Sequence, residues 1–141
     1  MQPNPFEPPA ASPDPRYPVA TRTPLLLAAL GAWGAAAYWA LLTALIALGA
    51  AMGAVSPTAL ILPIVLIGLY VLNGVRMFKG EARAVRSLLW LHGVGCLVAI
   101  IQVATSSGLF VALQAIKVVI HIFGVATVVM ARRHVQNTWL Q

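Results

Sequence analysis

Long apolar stretches separated by short polar segments dominate the chain after its first 23 residues. No charged residue occurs between Thr23 and Val75, and Ser56-Pro57 is the only turn signal that divides this stretch. A hydrophobic run of about 20 residues is long enough to cross the hydrocarbon core of a bilayer as one helix. The pattern therefore predicts four membrane-spanning helices, at residues 25–50, 58–77, 88–105 and 109–130.

Short connections are expected between these helices. Lys79 to Arg86 is typical of a polar connection, and Ser106-Ser107-Gly108 indicates a tight turn. Pro63 lies inside the second predicted helix, where its ring predicts a kink. Because short connections join antiparallel neighbours, the sequence predicts an all-α membrane protein with an up-down four-helix transmembrane domain at 24–134 and a short tail at 135–141.

The first 23 residues have a different composition. They hold seven of the ten prolines and no periodic apolar pattern. Proline fixes φ and removes a backbone donor, so residues 1–23 are predicted to be a disordered, Pro-rich tail. A secretory signal peptide is the competing interpretation of the first span, but the apolar run continues too far for one, and we expect the span to be retained.

Composition excludes an ordinary soluble domain. Hydrophobic residues make up 60% of the chain and charged residues 9%, whereas a soluble domain carries about 25% charged residues. The net charge of +6 does not indicate nucleic-acid binding, since the basic residues cluster at the ends of apolar runs and do not form a stripe. The lipid bilayer is the expected partner.

The distribution of lysine and arginine predicts an orientation. Two of the nine precede the first span, four lie between the second and third, and two end the fourth. With four spans all of these lie on one side, which the positive-inside rule assigns to the cytoplasm, together with both termini, in a bacterial inner membrane. The expected topology anchors are Arg76, Lys79, Arg83, Arg86, Arg132 and Arg133.

Polar residues within the fourth span are the main candidates for function. Gln114, Lys117 and His121 follow spacings of three and four, which align them on one side of a helix. A lysine inside the hydrocarbon costs about 2.5–3.5 kcal/mol, and no acidic residue lies in any predicted span to offset it. We expect a polar path, a contact with another subunit, or a reach of the ammonium toward Gln102, Thr105 or the interface. The missing carboxylate disfavours a proton-exchanging multidrug transporter.

His92 and Cys96 lie one turn apart on the third span. Together with His121 of the fourth span, they could ligate a haem iron or another metal. Helical rise places the two histidines at different depths, however, so neither cofactor nor metal is expected. The sequence contains no nucleophile with its base, no phosphate loop and no zinc signature. It therefore predicts a protein without enzymatic activity.

Small residues in the first span predict a helix-packing face, because small side chains four apart let helix backbones approach closely. This face serves either the monomer itself or association with a second copy or another membrane subunit. Its residues are Ala36, Ala40, Ala44, Gly49 and Gly53.

The opening Asn4-Pro5-Phe6-Glu7-Pro8-Pro9, followed by four spans, resembles a class of small bacterial inner-membrane proteins that begin Asn-Pro-aromatic-x-Pro. Members of that class are mostly uncharacterised, so the resemblance implies a location and a span count but no functional residue. The leading functional hypothesis is a non-enzymatic accessory or structural subunit of a membrane complex. The alternatives are a small oligomeric transporter or channel with a polar path along the fourth span, and a haem-binding electron carrier.

Overall fold

The computed structural model describes residues 22–137, which form four α-helices. These are α1 (Arg22–Ala51), α2 (Ile61–Phe78), α3 (Ala82–Thr105) and α4 (Leu109–Asn137), with a short 3-10 helix at Pro57–Leu60 before α2. All four are long and apolar enough to cross a membrane. The prediction of an all-α membrane fold is confirmed, and the chain is a multi-pass membrane protein.

The helices extend beyond the predicted spans at several ends. Arg22 and Thr23 belong to α1, although the sequence assigned them to the tail; the remainder of that tail, like residues 138–141, lies outside the described range. Residues 82–86 form the first turn of α3 instead of a polar connection, because alanine and arginine are good helix formers. The fourth helix continues past Met130 to Asn137.

α1 and α2 each end at a glycine in the left-handed conformation. Gly53 and Gly80 have φ of 70° and 76°, the left-handed conformation that glycine adopts without strain. After α1, the amide of Ala54 donates to the carbonyl of Gly49 over 2.9 Å, the 6→1 bond of a Schellman motif. Gly53 therefore ends α1, and Gly49 lies in the last turn of that helix. A helix-packing face that contains both glycines stays a prediction.

The remaining small residues of the predicted face have different environments. Ala36 is buried, whereas Ala40 and Ala44 are exposed. Close helix packing instead involves the first half of α1, where Ala28, Ala32 and Ala35 are almost completely buried. A Cβ on Gly31 would lie 3.4 Å from the Cα of Gly124, which shows how closely α1 approaches α4.

Pro63 lies in the first turn of α2 and not in the helix interior. It is the third residue of α2, which begins only at Ile61 after the 3-10 turn. An amide in the first turn of an α-helix has no intrahelical acceptor, so the missing N–H of proline costs no hydrogen bond there. The predicted kink assumed an interior proline, whereas α2 starts later than the apolar pattern indicated.

Antiparallel neighbours pack mainly as two hairpins, α1 with α2 and α3 with α4, and α1 also lies along α4. The contact between α2 and α3 is much smaller, so a groove opens between them. Apart from Lys117, the up-down order brings the basic residues of all four helices to one end of the bundle, here called the basic end. The connections at the opposite, uncharged end carry no charged residue.

Candidate functional site

The centre of the bundle contains two histidines in direct contact, the histidine pair. His92 of α3 is fully buried and His121 of α4 is 1% exposed. Their Nδ1 atoms lie 3.2 Å apart, and the hydroxyl of Tyr70 from α2 lies 3.5 Å from Nδ1 of His121. Three helices thus bring polar groups together inside an apolar bundle.

Two glycines make the histidine pair possible. A Cβ on Gly95 of α3 would lie 2.5 Å from Cε1 and Nε2 of His121, and a Cβ on Gly124 of α4 would clash with the ring of His92. Each helix therefore carries a histidine followed three residues later by the glycine that accepts the histidine of the other helix. This reciprocal His-x-x-Gly arrangement fixes the register between α3 and α4.

The hydrogen bond within the histidine pair determines the tautomers of the two rings. One Nδ1 must carry a proton and donate it, and the other must accept. In neutral rings, the Nε2 of the donating histidine is then unprotonated, and the Nε2 of the accepting histidine carries a proton. Neither Nε2 has a partner within the described residues. The pair therefore leaves one buried donor and one buried acceptor unpaired.

Lys117 lies one turn from His121, on the side toward the uncharged end. It is 4% exposed, its Nζ donates to Oε1 of Gln102 over 2.9 Å, and it lies 4.8 Å from the ring centroid of Trp39. These three residues are called the lysine site. The ammonium leans toward the start of α4, as helical side chains do. Gln102 and Trp39 solvate this charge, but neither neutralises it.

No described helix supplies a carboxylate to Lys117. Glu81, the one acidic residue between 22 and 137, lies at the connection between α2 and α3. There it accepts a 2.8 Å hydrogen bond from Nε of Arg83 and lies 3.9 Å from Nε of Arg76. The Arg83 hydrogen bond and the surrounding positive charges lower the pKa of the Glu81 carboxyl below its usual value.

The groove between α2 and α3 leads to both polar clusters. This α2–α3 groove has a volume of about 380 Å³, and its walls are almost entirely apolar. Lys117, His121, Tyr70 and Trp39 line its inner side. The Nε1 of Trp39 is buried and has no acceptor in the described part of the chain. A buried donor without an acceptor therefore lies in the wall of the groove, close to Lys117.

Gln114, the other predicted site residue of α4, is not part of either cluster. Its side chain is half-buried, and its Oε1 has no donor within residues 22–137. Gln102 and Lys117 are brought together as described above. The predicted topology anchors all lie at the basic end, where Arg83 and Arg76 face Glu81.

The geometry of the histidine pair does not fit a bis-histidine haem. The two imidazole rings contact each other, and each packs against a glycine of the opposite helix, so no space for a macrocycle lies between them. The expectation that they lie at different depths is wrong, because their Nδ1 atoms are only 3.2 Å apart. Both α3 and α4 extend beyond the predicted spans, so the predicted span ends did not mark a common level. No cluster of three or more histidine, cysteine or acidic side chains suited to a metal occurs in the described range, and Cys96 is a free thiol.

Sequence reasoning missed Tyr70, Gly95, Gly124 and Trp39 as parts of the site. The repeated His-x-x-Gly spacing, at 92–95 and 121–124, was the one signal that pointed to a reciprocal contact. Comparison with known proteins adds nothing to this picture: no family model, curated protein or solved structure matches the chain.

Proposed function

We propose that this membrane protein is a non-enzymatic accessory subunit that binds a different membrane-spanning subunit through its α2–α3 groove. The observation that carries the proposal is Lys117, a buried cation with no carboxylate in any described helix. Charged side chains within membranes pair with one another or line a functional path. A carboxylate on a partner helix would provide the missing charge.

The groove explains how a partner reaches Lys117. Lys117 lines the inner side of an opening between α2 and α3, so a side chain from a helix docked over this groove can approach it without separating α1 from α2 or α3 from α4. Nε1 of Trp39 is a second unused donor at the same place. Two donors around one position favour an acceptor-rich group, and a carboxylate has two oxygens to offer.

A second copy of the chain does not supply this group. Its only acidic residues are Glu7, Asp14 and Glu81. Glu7 and Asp14 precede the first span in sequence, and Glu81 lies between α2 and α3 at the basic end. The expected partner is therefore a different protein with an aspartate or glutamate inside a span. We further propose that the basic end faces the cytoplasm of a bacterial inner membrane, as the positive-inside rule predicts.

Affinity purification from native membranes in mild detergent tests this proposal. We expect the wild-type chain to elute with a second membrane protein that has an acidic residue in a span, and Lys117→Met to elute without it. Thr127→Val is the matched control, since its buried hydroxyl donates within α4, to Phe123 and Gly124. A charge exchange, Lys117→Glu with lysine at the partner's acidic position, should restore the complex. A wild-type chain that always elutes as a monomer would refute the proposal.

A small transporter or channel is the second candidate function. It is supported by the unpaired atoms of Gln114 and His121, which extend the polar groups of α4 on both sides of Lys117. Reconstitution in liposomes that contain a pH-sensitive dye separates the two functions. Proton flux that requires Lys117 in the purified chain alone would favour transport, and the absence of flux with an intact complex would favour the accessory role.

A further inference from the structure

A second cavity lies at the basic end, between the start of α3 and the end of α4. Its volume is about 320 Å³, and both Arg86 of α3 and Arg132 of α4 line it. Val85, Leu89 and Trp90 contribute apolar side chains to its wall. This arginine pocket thus combines two cations with an apolar surface that continues toward the middle of the bundle.

The two guanidinium groups have no anionic partner in the described chain. Glu81 is the one acid in that range, and Arg83 and Arg76 already contact it. Two cations around one cavity repel each other unless an anion lies between them. Arginine presents a planar set of donors that matches the oxygens of a phosphate, and two such groups can share one phosphodiester.

The depth of the pocket points to a lipid. Arg86 precedes the apolar run that starts at Leu88, and Trp90 follows one turn later with 70% of its surface exposed. An exposed tryptophan near a helix end is typical of the interface between head groups and hydrocarbon. A phosphate held by Arg86 and Arg132 would lie at head-group level, with its acyl chains along Leu89 and Trp90.

From this geometry we infer that the arginine pocket is a binding site for an acidic phospholipid, recognised by its phosphodiester and its acyl chains together. Basic pockets between membrane helices are a known way to hold such head groups. The inference does not depend on Lys117 or on a partner subunit, because the arginine pocket lies between α3 and α4 at the basic end and shares only Trp90 with the α2–α3 groove. A free phosphate would use the arginines but would leave the apolar wall uncovered.

Native mass spectrometry of the purified full chain tests the inference, with phosphatidylglycerol as the probe and phosphatidylcholine of the same chains as the comparison. We expect the wild-type chain to retain phosphatidylglycerol selectively. The double variant Arg86→Gln/Arg132→Gln should bind it about a hundredfold more weakly, since a hydrogen bond from each guanidinium to the phosphate accounts for about tenfold. Arg83→Gln/Arg133→Gln removes the same net charge outside the pocket and should retain the lipid.

Three results would overturn the inference. Equal retention of the two lipids by the wild-type chain would show that the phosphodiester charge is not recognised. An equal loss in the control variant would show diffuse attraction to the basic end. Displacement of phosphatidylglycerol by an equimolar concentration of inorganic phosphate would show a site for the free anion. If the double variant does not fold, the comparison of lipids and phosphate on the wild-type chain still decides.

Discussion

Replacing Gly124 by alanine tests the account of the histidine pair directly. The new Cβ would clash with the imidazole of His92, which is fully buried and rigid. Overpacking of this kind costs about 1–3 kcal/mol, and the better helix propensity of alanine returns up to about 1 kcal/mol. We expect a net loss of about 1–2 kcal/mol in the free energy of unfolding.

Gly93 provides the matched control in the neighbouring helix. Nothing lies within 4 Å of a Cβ built there, so Gly93→Ala should be neutral or stabilise by about 0.5–1 kcal/mol. Unfolding in mixed micelles, followed by circular dichroism as the fraction of sodium dodecyl sulfate rises, gives the two midpoints. The Gly124→Ala midpoint should shift down and the Gly93→Ala midpoint should not.

A double-mutant cycle assigns the loss to a particular contact. With His92→Ala in the background the ring is gone, and adding Gly124→Ala should no longer destabilise the protein. Equal midpoints for Gly124→Ala and Gly93→Ala, or an undiminished penalty in the His92→Ala background, would refute the reciprocal His-x-x-Gly packing.

Three further predictions concern other parts of the molecule. Gly74→Ala should destabilise the contact between α1 and α2 by about 1–3 kcal/mol, because its Cβ would clash with the buried edge of Trp33, and the same micelle titration measures it. Glu81→Gln should lower the thermal midpoint at pH 7 but not well below pH 4. The pKa of Glu81 is lowered in the folded chain, so its contribution is present above the ordinary value of 4.5 and is lost as the pH falls through the folded value. A C-terminal fusion to green fluorescent protein should fluoresce and one to alkaline phosphatase should be inactive, whereas the reverse would place the basic end outside the cytoplasm.

The number of helices and their order could be predicted because they depend on local composition. An uncharged run from Thr23 to Val75 with one proline-containing turn leaves few alternatives in a bilayer, where the backbone must form its own hydrogen bonds. The helix ends were less predictable. Residues 82–86 carry two arginines among alanines and a valine; the arginine charges assigned them to a connection, although alanine and arginine are good helix formers.

The contact between His92 and His121 could not be predicted for two reasons. Depths counted from the predicted span ends were unreliable because both α3 and α4 extend beyond those ends. The rotation of each helix about its axis depends on packing that spacing alone does not give. Gly95 and Gly124 determine that packing, since only a residue without a Cβ leaves room for the opposing ring. The sequence identified Lys117 as a candidate functional residue because it is a charge within an apolar span. Its position beside a groove depends on the small contact between α2 and α3, which the sequence does not reveal.

The division of the bundle into α1–α2 and α3–α4 also bears on how the chain enters the membrane. Each pair is a helical hairpin whose connection at the far end carries no charge. Moving that connection across the bilayer therefore does no electrical work against the membrane potential, which acts on charge alone. The two helices joined by each uncharged connection are also the two with the most extensive contact in the described bundle.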